Sequence, residues 1–212
     1  MAEIFLITGG CRSGKSSFAE KLAQQLSCQY FQQRSLINKK ECLQTNNIKA
    51  YIATAPVFDN EMRDRVKRHQ RQRAEYCWTT FEEQIELQRI LQHCSQVNFK
   101  VVLVDCLTLW INNLIYEAEQ NQTSITENDM CDLCEKIIAE CQTMSTDMKI
   151  IFVINEVGFG IVPQNKLARL FRDLTGRCSQ TIAKKADNVF LISCGLPLQL
   201  KGTYNAAFTE NN

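Results

Sequence analysis

Residues 9–16 read GGCRSGKS and satisfy the spacing G-x-x-x-x-G-K-[ST]. They follow an apolar run, IFLIT, and open an amphipathic stretch over residues 15–26. Strand, glycine loop and helix in that order restrict the possible folds more than any other feature of the chain. Glycines let backbone N–H groups curl around phosphate oxygens, and the helix N-terminus adds partial positive charge. The spacing places Lys15 to hold the outer phosphates and Ser16 to ligand Mg²⁺. The candidate nucleotide loop is therefore Gly9, Gly10, Cys11, Arg12, Ser13, Gly14, Lys15 and Ser16. Its metal site needs a carboxylate at the end of a neighbouring buried strand. Asp105, which closes KVVLVD, supplies one, directly or through water. The competing role for Asp105 is to cap a helix that begins near Leu107.

Further period-2 or continuous apolar runs lie at 50–54, 100–105, 149–155 and 188–194, beside the first at 4–8. Helical periodicity covers 15–26, 59–73, 81–93, 107–117, 127–144 and 165–186. Buried strands alternating with helices indicate an α/β domain. With the phosphate loop on the first strand, the expected class is a P-loop NTPase-like (RecA-like) three-layer fold with a mostly parallel sheet. With three prolines and none marking a linker, residues 1–212 are expected to form one domain. The stretch 27–47 is polar, rich in Gln, Asn and Lys, and long for a helix-to-strand connection. It reads as a disordered insertion.

Composition removes several function classes. The chain is 45% hydrophobic and 22% charged, with 24 Lys+Arg against 23 Asp+Glu, which excludes wholesale disorder and a uniformly basic nucleic-acid coat. No apolar run reaches the roughly 18 residues of a membrane span, and the start turns glycine-rich too soon for a signal peptide. A cytoplasmic protein is expected. Eleven scattered cysteines do not form a secreted disulfide pattern, and Cys131 and Cys134 lack a second ligand pair at zinc spacing. Free cysteine is commonly a small buried hydrophobe.

The near-neutral total hides one concentration. Residues 63–73 hold Arg63, Arg65, Lys67, Arg68, Arg71 and Arg73 against Asp64 alone, so a +5 segment sits on a −4 remainder. On a helical wheel Phe58, Met62, Val66, His69 and Arg73 share one stripe, with Arg65 at its border and Lys67 and Arg71 opposite. His69 would face the body of the protein between two arginines. A neutral imidazole can attack phosphorus, and the arginines would neutralise charge developing on the phosphoryl oxygens. The alternatives are a core histidine or a basic helix touching nucleic acid. His93, at the end of a helical stretch, reads as a C-terminal helix partner. The turn 155–158, Asn-Glu-Val-Gly, serves equally well as backbone geometry or as a substrate contact.

GGCRSGKS, YIATAPVFDNEMRDRVKRHQRQR, LVDCLTLWINNLI and INEVGFGIVPQNKLARLFRDLTGRCSQTIAKKADNVFLISCGLPLQLKG occur in this order. Together they closely resemble the bifunctional adenosylcobinamide kinase / adenosylcobinamide-phosphate guanylyltransferase family of cobalamin biosynthesis. The resemblance covers about residues 4–202, apart from 27–47. It implies two reactions. ATP or GTP phosphorylates the hydroxyl of the aminopropanol arm of adenosylcobinamide. A histidine matching His69 then takes GMP from GTP, and the corrinoid phosphate accepts it to give adenosylcobinamide-GDP.

Nucleotide contacts carried over from the family fall on residues 9–16, on Thr54, Ala55 and Pro56, on Gln70, Arg71, Gln72 and Arg73, on Glu82 and on Asp105. Relatives often have Glu where this chain has Asp105, a small residue at Cys11, and Asn at Ser179. The resemblance also implies a homotrimer with active sites near subunit boundaries. Two rival functions follow from the residues alone. One is a P-loop kinase for another small hydroxyl substrate. The other is a nucleotide-switched nucleic-acid binder, against which the inward His69 and the acidic remainder count.

Overall fold

The computed structural model describes residues 1–33, 48–56 and 76–204. The helix expected at 59–73 lies outside them, and with it Arg65, His69, Gln70, Arg71, Gln72 and Arg73. In chain order the described elements are β1 (Glu3–Gly9), α1 (Lys15–Gln33), β2 (Lys49–Ala53), β3 (Trp78–Glu82), α2 (Leu87–Gln96), β4 (Val101–Asp105) and α3 (Leu107–Gln120). They continue with α4 (Glu127–Thr143), β5 (Lys149–Asn155), α5 (Lys166–Lys185), β6 (Asn188–Ser193) and β7 (Leu196–Lys201).

The strands form one seven-stranded sheet in the order β3-β2-β4-β5-β1-β6-β7, parallel except for β7. One strand, β5, separates the loop-bearing β1 from the carboxylate-bearing β4. Both faces of the sheet are covered, which is why its central strands are continuous apolar runs. Phe5, Ile7, Leu103, Ile151 and Val153 face α1, where they meet Phe18, Leu22 and Leu26. Ile4, Leu6, Val102, Val104, Ile150 and Phe152 face the opposite way, against α2, α3, α4 and α5. The α/β three-layer fold with a mostly parallel sheet is therefore the one expected.

Two local expectations are corrected, and one strand is added to them. Residues 81–93 do not form one helix: Trp78–Glu82 is a parallel edge strand on β2, and α2 starts only at Leu87. The β-branched and aromatic residues of WTTFE suit a half-buried pleat. A Glu83 oxygen then accepts from the N–H groups of Ile85 and Glu86, which shapes the turn into α2.

The stretch 27–47 does not begin as an insertion, because α1 continues to Gln33 with Ser27 and Phe31 buried. These two extend the buried stripe of Phe18, Leu22 and Leu26, and the polar residues around them mask that stripe in the composition. Residues 34–47 lie outside the described residues.

The chain after β6 also forms a strand. Cys194 and Gly195 have φ of 53° and 79°, the two positive values that a tight two-residue hairpin requires. Pro197 is tolerated in β7 because β7 is an edge.

Cys94, Cys106, Cys134, Cys141 and Cys178 are buried, and desolvation pushes the thiols of Cys94 and Cys141 up to about 12. Only the thiolate reacts with alkylating agents. Native protein treated with iodoacetamide near pH 8 should therefore label at the exposed Cys11 and Cys194 and not at Cys94 or Cys141, as read by peptide mass spectrometry. Phe152, fully buried on the central strand β5, should cost about 3–5 kcal/mol when replaced by Ala in denaturant unfolding.

Candidate active site

β1 delivers its last residue, Gly9, to the carboxyl edge of the sheet, where open α/β sheets place ligands. The loop that follows leads directly into α1 at Lys15. Its carbonyls are held by donors of the protein: Gly9 O accepts from Glu156 N at 2.8 Å, Gly10 O from Ser13 N at 3.2 Å, and Ser13 O from Gly195 N at 2.8 Å. These bonds keep three carbonyl oxygens occupied within a loop built to face an anion. Lys15 is 7% exposed, and its Nζ donates one of three N–H groups to Gly10 O at 2.9 Å. Ser13 Oγ is buried and has no hydrogen-bond partner among the described residues. A buried hydroxyl without a partner is costly, and a phosphate oxygen seated in the loop would satisfy it.

Two glycines are required by close approach. At Gly9, φ is 155° and a Cβ would collide with the carbonyl oxygen of Ile192 at the end of β6. At Gly14, φ is 97° and a Cβ would stand 3.1 Å from the Cα of Gly195. The β6–β7 turn thus presses against the phosphate loop. Only the dipeptide Cys194-Gly195 between two apolar stretches foreshadowed this contact.

Asp105 ends β4, in register with Ala53 on one side and Val153 on the other. Its partly exposed carboxylate accepts a hydrogen bond from the Tyr51 hydroxyl at 2.8 Å. The N-cap position of α3 is taken by Cys106 without a side-chain cap, so the helix-capping alternative for Asp105 is not realised. Ser16, exposed in the first turn of α1, presents a hydroxyl. Hydroxyl and carboxylate oxygens are the hard donors that Mg²⁺ takes, so the chemistry of this pair fits the ion.

The structure places Thr54 differently from a simple ligand contact. Its hydroxyl donates to Cys106 O at 2.7 Å and accepts from Cys106 N at 2.8 Å, and its N–H donates to Asp105 O at 3.3 Å. Asn113, buried in α3, donates to Thr54 O at 2.8 Å and to Gln84 O at 3.1 Å. This chain of bonds ties the ends of β2 and β4 to each other and to α3. Sequence reasoning missed it. The one available signal was Asn113, a polar residue at a buried position of WINNLI.

Glu82 is exposed at the end of β3, in register with Ala53. It stands four strands from Gly9, about 19 Å at the usual strand spacing, whereas Asp105 is two strands away, about 10 Å. The candidate residues therefore spread along one edge. Gly9, Gly10, Cys11, Arg12, Ser13, Gly14, Lys15 and Ser16 form one group, and Thr54, Ala55, Pro56 and Glu82 form a second. Asp105 stands between them, one strand from Thr54, whose N–H donates to its carbonyl oxygen, and two strands from Gly9.

Two further residues have local roles. His93 lies in the last turn of α2 and packs its ring edge-on against Phe81 at 5.6 Å. In the turn 155–158, Asn155 N donates to Thr108 Oγ1 at 2.7 Å while Glu156 N holds Gly9 O, so both amides support neighbouring elements. No helix among the described residues is long and apolar enough to cross a membrane.

Comparison with known proteins is decisive for the family. Residues 5–200 match the family described as "Cobinamide kinase / cobinamide phosphate guanyltransferase", and the chain belongs to it. It is 33% identical to the "Bifunctional adenosylcobalamin biosynthesis protein CobU" of Escherichia coli K12 over 204 residues, covering 93% of this chain and 99% of the relative. Its identity to the protein of the same name from Salmonella typhimurium is also 33%, with the same coverage. The "Bifunctional adenosylcobalamin biosynthesis protein CobP" of Pseudomonas aeruginosa is 33% identical over 202 residues, covering 93% of this chain and 96% of the relative.

Two variants test the geometry. Gly14→Ala should weaken ATP and GTP binding at least tenfold in calorimetric titration, since its Cβ needs space held by Gly195 and its φ disfavours a side chain. Thr54→Val leaves the Cys106 N–H unpaired and should cost about 1–3 kcal/mol in unfolding free energy.

Proposed function

We infer that this chain is a bifunctional transferase of cobalamin biosynthesis, acting as adenosylcobinamide kinase and adenosylcobinamide-phosphate guanylyltransferase. Membership of the cobinamide kinase / cobinamide phosphate guanyltransferase family favours it over both a kinase for another small substrate and a nucleic-acid binder. The observation that carries the site assignment is the layout of the carboxyl edge, with a phosphate loop on one side of Asp105 and a second group around Thr54 and Glu82 on the other. Two reactions on one substrate arm call for such an edge.

In the kinase step the loop N–H groups, Ser13 Oγ and Lys15 hold the triphosphate of ATP or GTP. The aminopropanol hydroxyl of adenosylcobinamide bonds to the γ-phosphorus as the bond to the β-phosphate oxygen breaks, and the hydroxyl proton is lost. Ser16 and Asp105, the latter directly or through water, would hold Mg²⁺, which when bound neutralises charge on the phosphate oxygens. The Tyr51 hydroxyl orients the Asp105 carboxylate for that role.

In the guanylyl step a ring nitrogen of His69 bonds to the α-phosphorus of GTP and pyrophosphate leaves. A phosphate oxygen of adenosylcobinamide phosphate then bonds to the same phosphorus as the N–P bond breaks. The products are free imidazole and adenosylcobinamide-GDP. Arg65 and Arg73 flank His69 on the helical wheel and stabilise charge on the transferring group. Ala55, Pro56, Gln70, Arg71, Gln72, Arg73 and Glu82 contact the guanine nucleotide, and Thr54, fully buried, fixes the strand end that leads to Ala55 and Pro56. The working assembly is a homotrimer in the cytoplasm, without a nucleic-acid partner.

Incubation with GTP labelled at either the α- or the γ-phosphate tests this reading. Label should become protein-bound from the α position alone, be acid-labile and alkali-stable, and be lost in His69→Ala. Protein without α label after incubation with GTP would overturn the guanylyl half.

A further inference from the structure

Beyond the phosphate loop, a cleft of about 400 Å³ opens at the carboxyl edge beside Pro56, between the end of β2 and the outer face of α3. Five of its lining side chains are carboxamides: Gln84, Asn112, Asn113, Gln120 and Asn121. Ile85 and Pro56 add apolar surface, and the ring of Tyr116 stands 59% exposed at the same face. Among the described residues Glu117 is its one charged lining residue.

The wall is built rather than incidental. α3 pins the strand-to-helix turn after β3 at two consecutive carbonyls. Trp110 Nε1 donates to Ile85 O at 2.9 Å, and Asn113 Nδ2 to Gln84 O. The same Asn113 amide reaches Thr54 O, and Thr54 is bonded to Asp105 and Cys106. The cleft is thus held at a set position relative to the carboxylate strand.

Its chemistry discriminates among ligands. Among the described residues the lining has one carboxylate and no cation, which does not suit a triphosphate, a group that takes lysine, arginine or bare N–H groups. Carboxamides both donate and accept, so they pair with other carboxamides, while an aromatic ring and aliphatic groups cover an apolar macrocycle. A corrinoid has that combination: an apolar ring rimmed by primary amides. In both reactions of the proposed function the corrinoid arm is the acceptor, so its ring must lie near the γ-phosphate and near the guanylyl group alike. The cleft borders Pro56 of the second group and is one strand removed from Asp105, which stands between that group and the phosphate loop.

We propose that the amide-lined cleft between Pro56 and the outer face of α3 binds the corrinoid ring of the substrate, with Asn112, Gln120 and Tyr116 as specificity-determining contacts. The assignment rests on the corrinoid transferase reading and adds to it the location of the acceptor. Asn112, Tyr116 and Gln120 are exposed, and replacing them leaves the core untouched.

The test is steady-state kinetics of both steps on the full-length enzyme with adenosylcobinamide and its phosphate, for wild type, Asn112→Leu/Gln120→Leu and Tyr116→Ala. The corrinoid KM should rise at least tenfold in both variants, with unchanged KM for ATP and GTP and unchanged protein-bound label from α-labelled GTP. An unchanged corrinoid KM overturns the inference. A raised GTP KM or lost protein-bound label would place the guanosine there instead and overturns it equally. If wild type itself turns over no corrinoid, the proposed function fails, and the inference with it.

Discussion

The absence of a Cβ at Gly9 and Gly14 is the constraint on which the arrangement of the site depends. It lets the end of β6 and the turn to β7 come into van der Waals contact with the phosphate loop, so that Gly195 N can hold Ser13 O. The loop is thereby clamped from one side by β6–β7 and from the other by Glu156 after β5. A phosphate cradle works through preorganised donors, and this clamp fixes the peptide planes before any ligand arrives.

A second restraint acts at the other end of the edge. Thr54 exchanges two hydrogen bonds with the backbone of Cys106, immediately after Asp105, and Asn113 extends the chain to α3 and the turn after β3. The bonds of Thr54 to Cys106 and to Asn113 are buried, where an unmade bond is expensive, so the ends of β2 and β4 move as one unit. The sheet provides rigid spacing between the two restraints. Its parallel strands are covered by α1 on one face and by α2 to α5 on the other, so every ligand-bearing end emerges at the same edge.

Much of this was legible in the linear order of residues. The strand, the loop and α1 were visible because glycine spacing and apolar periodicity are local properties. Asp105 was visible because a carboxylate terminating a continuous apolar run has few other uses. By contrast β3 was hidden in a stretch whose helical periodicity is genuine from Leu87 onward, and its strand character depends on pairing with β2, far away in sequence. β7 was hidden because all six of its residues are exposed and one is proline, so burial leaves no pattern to read. The last two turns of α1 were masked by polar composition, although Ser27 and Phe31 continue its buried stripe.

By itself the sequence determined that a phosphate loop would sit between a buried strand and a helix, that a carboxylate would close another strand, and that the fold would be α/β. Those features depend on neighbours within a few residues, where covalent connection enforces proximity. Only the tertiary structure decided that the β6–β7 turn would brace the loop, that Thr54 would be bonded to the backbone of Cys106, and that Glu82 would lie four strands from Gly9. The order of strands in a sheet is set by packing of side chains distant in sequence, and no local period records it.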